Sequence, residues 1–548
     1  MCNSEKILNI PTRMAWLFFI LPLFPHLLNA QIRFEDVTEK AGLLEPLKGM
    51  KGHGAAWGDV DGNGYPDLFY GTFSGRPDTS YAKRGHPAKP EPDKLFLNNG
   101  DGTFTEVFDS PINQYGRNSG AAFADFDNDG DLDLVVSHNS YEGQKEQYRT
   151  GNFLFANDGN GSFTDVTKGS GLDFGWPFTG RNTFVFDYDG DGLLDIFMQE
   201  DYVRDDVSGG FSRLMKNTGN LVFRDATAEA GFPAGYRKGF WGIGGWVGDI
   251  NGDLWPDVFF AHSCRMFINN GDGTFREKQY NMIKSEYMMP GSSSGGFWTC
   301  GADIGDLDND GDMDMVMSDH FPLGESVERS MYVFLNEGND GNGDPVLRNI
   351  TLEAGVPPPP TRTPHVQLQD MDNDGWVDIL ATSCDAFVYR NLGASEGLPR
   401  FEKPVSSGFD GGIGYWAAGP LADYDRDGRL DIIAPEWEPA FVSPLLKNAT
   451  AGANNYLAIK LELENASNRN GIDARVDIYQ KGRLGKAEGL IASRIITISN
   501  GYSSGYEAIA YFGLPNNKKV DVRVSMPCGG TVYKATSVKR NQMYIIKD

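Results

Sequence analysis

Residues 120–136 read Gly-Ala-Ala-Phe-Ala-Asp-Phe-Asp-Asn-Asp-Gly-Asp-Leu-Asp-Leu-Val-Val, and the nine from Asp125 to Asp133 follow the pattern D-x-[DN]-x-[DN]-G-x-x-D. Positions 1, 3, 5 and 9 recur as Asp59, Asp61, Asn63, Asp67; Asp125, Asp127, Asp129, Asp133; and Asp187, Asp189, Asp191, Asp195. They recur again as Asp249, Asn251, Asp253, Asp257; Asp306, Asp308, Asp310, Asp314; Asp370, Asp372, Asp374, Asp378; and Asp423, Asp425, Asp427, Asp431. Position 6 is glycine in every loop but the fourth, which has Leu254. Such a loop coils tightly, so its carboxylates converge, and a hard cation with six to eight oxygen ligands satisfies them. Ca²⁺ is the expected ion, up to seven per chain and structural in role; Mg²⁺ prefers smaller octahedral sites and keeps its waters.

An EF-hand needs a bidentate Glu at position 12 and helices on both sides. Here position 12 is Tyr70, Val136, Met198, Phe260, Met317, Ala381 and Ala434, and the flanks are short β-type runs such as Leu134-Val135-Val136. An Asx-rich turn without metal is the bland reading of any one copy, but it does not explain seven.

Successive first aspartates stand 66, 62, 62, 57, 64 and 53 residues apart. Four β segments fit each period: strand A enters the loop, strand B leaves it, strand C ends in a turn signal such as Asn98-Asn99-Gly100, and strand D starts at Phe. That is the signature of a propeller blade. D segments follow six blades, near Phe104, Phe163, Phe223, Phe275, Ile350 and Phe401. The seventh is missing, and an extra one, Phe34–Thr38, precedes the first strand A. An N-terminal strand that completes the last blade would close the ring and remove the exposed edges. The expected fold is therefore all-β, a seven-bladed β-propeller over 31–450.

Residues 453–548 lack acidic loops and alternate strictly: Leu457, Ile459, Leu461 and Leu463, then Val520, Val522 and Val524. A period of two implies half-buried antiparallel strands, read here as a C-terminal β-sandwich. Residues 1–30 read as a secretory signal peptide, with Lys6 and Arg13 before the apolar Met14–Leu28 and a small residue at Ala30. That segment is short for a spanning helix, and no other apolar run is as long, so a secreted protein without a transmembrane segment is expected. It would be extracellular, or periplasmic or at the cell surface in a bacterium.

The chain has 548 residues, a formal net charge of −26, 40% hydrophobic and 12% aromatic residues. The charge argues against nucleic acid as a partner, which calls for a basic face, while the apolar content is enough for packed cores. After the leader, Cys264, Cys300, Cys384 and Cys528 remain; an oxidising compartment permits bridges, and three pairings are open. Sequons stand at Asn160, Asn349, Asn448 and Asn465.

The acidic loops resemble the FG-GAP/VCBS repeat family over about 32–450, and that family holds structural Ca²⁺ in such loops. The C-terminal region looks like the ASPIC/UnbV domain in Ser467–Val476, Gly501-Tyr502-Ser503-Ser504, Phe512-Gly513-Leu514 and Val522–Gly529. It departs from that family at Asp473, where Gly is usual, and at Met526-Pro527, where Trp-Pro is usual. The arrangement is that of the cartilage acidic protein family and its bacterial relatives. The resemblance implies an extracellular Ca²⁺-binding protein.

No zinc spacing, nucleophile elbow, P-loop or dinucleotide fingerprint occurs. One constellation remains. His53, Arg117, Arg181, Trp241, Trp298, His365 and Trp416 each stand five to eight residues before a first aspartate, so they would ring one mouth of the channel. Aromatic and cationic groups suit acidic sugars, which makes these the expected ligand-binding residues; the bland alternative is a channel plugged by tryptophans. The leading expectation is a secreted, calcium-stabilised binding or adhesion module for an extracellular glycan or protein. The competing one is a calcium-assisted polysaccharide lyase or dehydratase at the channel mouth.

Overall fold

The computed structural model describes residues 32–74, 90–139, 151–173, 180–200, 212–233, 244–279, 299–319, 331–357, 365–409, 416–451, 455–516 and 518–548. The leader, most of the long connections between strands B and C, and Trp241 and Trp298 lie outside them.

Among the described residues seven sheets form, one around each acidic loop, six of them four-stranded and the first with a fifth strand added from the C-terminal region. The first runs Gly52–Gly58, Asp67–Thr72, Lys94–Asn98, Phe104–Val107 from inside to outside. The inner strands Gly52–Gly58, Asn118–Ala124, Gly180–Phe186, Gly245–Gly248, Thr299–Gly305 and His365–Gln369 neighbour one another in chain order. Strand Leu421–Ala422 closes the circle: Gln367 Nε2 donates to Gly419 O on one side of it, and Trp57 Nε1 to Pro420 O at 3.2 Å on the other. The inner strands are rich in Gly and Ala because adjacent sheets crowd there; a Cβ on Gly58 would meet the Phe123 ring at 2.9 Å. Larger side chains, such as Leu68, Tyr70 and Phe96, fill the space between sheets.

The seventh sheet takes its outer strand from the N-terminus. Phe34–Asp36 pairs antiparallel with Leu445–Asn448, Phe34 opposite Asn448 and Asp36 opposite Leu446. In the sixth sheet the third strand breaks after Tyr389. Asn391–Ser395 then pairs with Leu398–Phe401 as a separate hairpin, and Val405–Ser406 supplies the outer edge in place of the segment at Phe401. In the fifth sheet the outer strand is Pro345–Asn349, so it ends before Ile350.

A second seam binds the ring. In or just after strand C, each sheet carries an asparagine whose Nδ2 donates to a loop carbonyl of the preceding sheet: Asn157 to Val60, Asn217 to Phe126, Asn269 to Tyr188, Asn336 to Ile250, Asn391 to Leu307 and Asn448 to Met371. Asn98 in the first sheet donates to Tyr424 O in the seventh at 2.9 Å. The seven bonds make a closed circuit. Each meets a buried carbonyl, a group that costs about 1–3 kcal/mol when left unpaired; Val60 O accepts Gly161 N–H as well. The side chain of Asn448 is spent on this bond and fully buried, so that sequon is not accessible.

The C-terminal sandwich packs a three-stranded sheet (Ile509–Gly513, Tyr456–Leu461, Met543–Ile546) against a four-stranded one (Leu490–Ile495, Arg475–Gln480, Lys519–Ser525, Val532–Lys539). The expected alternation holds, with Leu457, Ile459, Leu461, Val520, Val522 and Val524 all in its core. One pairing differs from the antiparallel expectation: Tyr456–Leu461 runs parallel to Met543–Ile546. The chain's last strand returns across the sandwich to that edge, which no local turn could do.

Candidate metal centres and a filled channel

At its last aspartate each acidic loop is held by the same two backbone bonds. The position-9 aspartate is between 0 and 2% exposed in all seven. One of its oxygens accepts the N–H of loop residue 2 (Val60 to Asp67 Oδ2, 2.8 Å). The other accepts the N–H of the seam asparagine (Asn98 to Asp67 Oδ1, 2.7 Å). The same pair recurs at Asp133, Asp195, Asp257, Asp314, Asp378 and Asp431. Position 9 thus ties the loop to the seam. Each oxygen keeps a second lone pair, so the tie does not use up its capacity to bind a cation.

At position 1, Oδ2 accepts the position-6 N–H: Gly64 to Asp59 at 3.0 Å, and likewise at Asp125, Asp187, Asp249, Asp370 and Asp423. That bond needs a left-handed residue at position 6, where φ is +91° at Gly64 and +104° at Gly130. Leu254 takes φ +69° and makes the bond as well, so the fourth loop keeps the shape at the cost of strain.

Three carboxylates offer oxygens within 4.8 Å of one another in each of several loops, among them Asp59, Asp61, Asp67; Asp125, Asp127, Asp129; and Asp306, Asp308, Asp314. Asp59 Oδ1, Asp125 Oδ1, Asp306 Oδ1 and Asp423 Oδ1 are buried with no hydrogen-bond partner. Burial, reinforced by neighbouring carboxylates, pushes Asp67 and Asp133 up to about 8 and Asp125 to about 6. Burial opposed by Arg494, with Asp310 and Asp308 adding, leaves Asp306 at about 7. Orphaned buried oxygens and acids this reluctant to ionise are what carboxylates gathered for a hard cation show on their own. The donor set fits Ca²⁺.

The sandwich sits on this acidic face. Asn468 N donates to Asn128 Oδ1 (3.0 Å) and Cys528 N to Leu254 O (2.6 Å). Arg475 Nη2 donates to Gly311 O (2.6 Å) and Gly513 N to Asp370 Oδ2 (3.1 Å). Arg426 in the seventh loop forks onto Glu507, with Nη2 at 2.6 Å and Nη1 at 2.9 Å. Burial raises the Cys528 thiol, and among the described residues no disulfide joins Cys528, Cys264 or Cys384.

From that seat, residues 499–506 thread the channel. Ser499 Oγ accepts Val185 N–H, Asn500 Oδ1 accepts Val247 N–H, and Gly501 exchanges both backbone bonds with Gly245. Tyr502 N donates to His365 Nδ1 at 3.1 Å, and Ser503 N to Asn182 Oδ1 at 2.9 Å. Ser504 and Gly505 pair parallel with Ala55 and Ala56, adding a strand to the first sheet. A Cβ on Gly505 would stand 2.6 Å from that of Ala56, so only glycine passes there. Because His365 Nδ1 accepts a backbone N–H, its proton sits on Nε2, which faces Tyr506 Oη at 3.2 Å. Burial keeps His365 neutral, its pKa lowered to about 3.

The expected rim residues are therefore not an open mouth. His53, Arg181 and His365 are partners of the inserted Tyr502. The Arg117 guanidinium lies over the Phe73 ring at 4.5 Å. Trp416 is buried with Phe409 and bridges to Glu436. Convergence of these positions was readable from the repeat; what fills the space was not. The seam asparagines and Asn182 also escaped the sequence reading. Seven asparagines in the same place before a turn are a signal, but it reads as turn chemistry.

The family matches agree with this architecture. The FG-GAP-like repeat family matches residues 74–136, 249–317 and 370–434, and the ASPIC and UnbV family matches 464–548. Cartilage acidic protein 1 of Mus musculus is 25% identical over 379 residues, covering 66% of this chain and 53% of that protein. The Homo sapiens protein is 26% identical over 374 residues, covering 65% and 51%. The chain spans about half the length of the curated relatives it matches. Among solved structures, rhamnogalacturonan lyase YesW aligns over 84% of this chain and 73% of its own at 14% identity and a TM-score of 0.37. The V. cholerae biofilm matrix protein Bap1 aligns over 93% and 72% at 13% and 0.32; at these scores neither bears on function. No helix among the described residues is long and apolar enough to cross a membrane. The chain thus carries FG-GAP-like repeats followed by a C-terminal ASPIC and UnbV domain.

Proposed function

We propose that the protein is a secreted binding or adhesion module in which Ca²⁺ at the acidic loops stabilises the propeller and the seat of the sandwich together. The observation that carries this is the meeting of the two on one face: orphaned carboxylate oxygens such as Asp125 Oδ1 and Asp306 Oδ1 lie in loops that also receive the sandwich, Asn468 on the Asn128 side chain and Arg475 on the Gly311 carbonyl. Position 1, 3, 5 and 9 side chains would hold the ion, with the position-7 carbonyl. The ion would supply positive charge and hold the loops, while the chain's own residues supply the surface. With Tyr502 filling the channel, an extracellular glycan or protein would be recognised elsewhere, on the outer loops or the sandwich.

Ligand linkage gives ~2.7 kcal/mol per independent site at a hundredfold excess over its dissociation constant. Chelation by EDTA should lower the melting temperature substantially, and readdition of Ca²⁺ should restore it. An unchanged melting curve in EDTA, with metal analysis near zero on the untreated protein, overturns the proposal.

A further inference from the structure

The seven loops differ in one residue that lies outside the acidic motif. Just before each seam asparagine, the chain places Leu97, Ala156, Ile268 and Leu335 in sheets one, two, four and five, but Lys216, Arg390 and Lys447 in sheets three, six and seven. Neighbours on a strand face opposite ways. The asparagine points to the adjacent sheet, so the residue before it points back over its own loop.

The three cations use that position. Lys216 Nζ pairs with Asp189 and lies 2.9 Å from Asp191 Oδ2. Arg390 sends Nε to Asp372 Oδ2 at 2.5 Å and Nη2 to Asp374 Oδ2 at 2.8 Å. Lys447 Nζ pairs with Asp425 and lies 3.0 Å from Asp427 Oδ2. In every case the partners are positions 3 and 5 of the loop. Arg390 and Asp372 are both buried, their side chains 9% and 1% exposed. Among the described residues, no ion pair reaches the carboxylates of loops one, two, four or five.

We propose that the loops divide into two kinds: loops one, two, four and five take Ca²⁺, whereas loops three, six and seven are closed by the chain's own cation. The inference rests on the calcium reading above. A fixed positive charge within hydrogen-bond distance of two of the four ligand side chains repels a second cation. It also occupies the Oδ2 atoms of positions 3 and 5, which leaves Asp189 Oδ1, Asp423 Oδ1 and Asp425 Oδ1 unpartnered but short of a full shell for the ion, and a guanidinium cannot shed its proton to make way. The sequence therefore sets the calcium number through a residue outside the ligand pattern.

Equilibrium dialysis of the full chain against Ca²⁺, after removal of bound metal, reads the number directly. The parent should bind about four ions tightly, with any further sites at least about a hundredfold weaker. Arg390→Leu, Lys216→Leu and Lys447→Leu should each add one tight ion, and Leu97→Lys should remove one. Arg390→Lys, which keeps the charge, should change nothing. A parent that binds six or seven ions with one affinity overturns the division, even if no variant folds. A parent that binds none overturns the calcium reading instead. Leucine variants that fold but leave the count unchanged overturn the role given to the cations.

Discussion

The phenol oxygen of Tyr502 lies 3.1 Å from Nε2 of His53, across 449 residues of chain, and takes a hydrogen bond from Arg181 Nη1 at 3.2 Å. This tyrosine joins the sandwich to inner strands of the first, third and sixth sheets at once. Its replacement by Phe keeps the ring and removes both hydroxyl hydrogen bonds, which should cost about 1–3 kcal/mol. Replacement by Ala should cost more, about 3–5 kcal/mol, through the cavity. Urea unfolding of both variants measures this. A Tyr502→Phe protein with the parent's midpoint and slope would deny the channel segment its structural part.

Leu254 holds φ +69° where six counterparts are glycine. A left-handed conformation costs a non-glycine residue about 1–2 kcal/mol, and the looser unfolded chain of a glycine variant returns some of that. Leu254→Gly should therefore stabilise the protein by about 0.5–1 kcal/mol, read as a raised denaturation midpoint. Lower stability would show that the Leu254 side chain contributes more by packing than its backbone loses.

Asp473 is 5% exposed, holds φ +66°, and leaves Oδ2 without a hydrogen bond. Burial, with Asp187 and Asp249 adding, raises its carboxyl well above the ordinary 3.8. Since the folded value exceeds the unfolded one, its contribution is present in full below pH ~3.8 and is lost as pH rises through the folded value. Asp473→Gly should thus stabilise the protein, by about 1–3 kcal/mol at pH 7. The gain should widen between pH 5 and pH 8 in paired thermal melts. A gain that shrinks as pH rises contradicts the assignment.

The outer strand Phe34–Asp36 covers the edge of Leu445–Asn448. Deleting residues 31–39 should leave that edge unpaired, and exposed edges invite association. Size-exclusion chromatography should show aggregates, and any monomer should melt well below the parent. A deletion variant that elutes and melts like the parent would show that the ring needs no such closure.

Sequence by itself determined the acidic loops, the repeat and the displaced N-terminal strand, because each is written within a few consecutive residues. Asp125 to Asp133 can form only a tight, carboxylate-lined turn, and the alternation of Leu457, Ile459 and Leu461 can only bury one face. The displaced segment Phe34–Thr38 was legible by counting. Tertiary structure alone decided what those parts do to one another. His53, Arg181 and His365 look like an open rim until residues 499–506 arrive from the sandwich. Lys216, Arg390 and Lys447 look like solvated surface until the strand turns them over their own loops. Both outcomes depend on contacts between segments that sequence keeps apart, where neither partner carries a local pattern to announce the other. Burial then fixes them, since a polar group taken out of water must be met by another, and only the folded chain shows which one meets it.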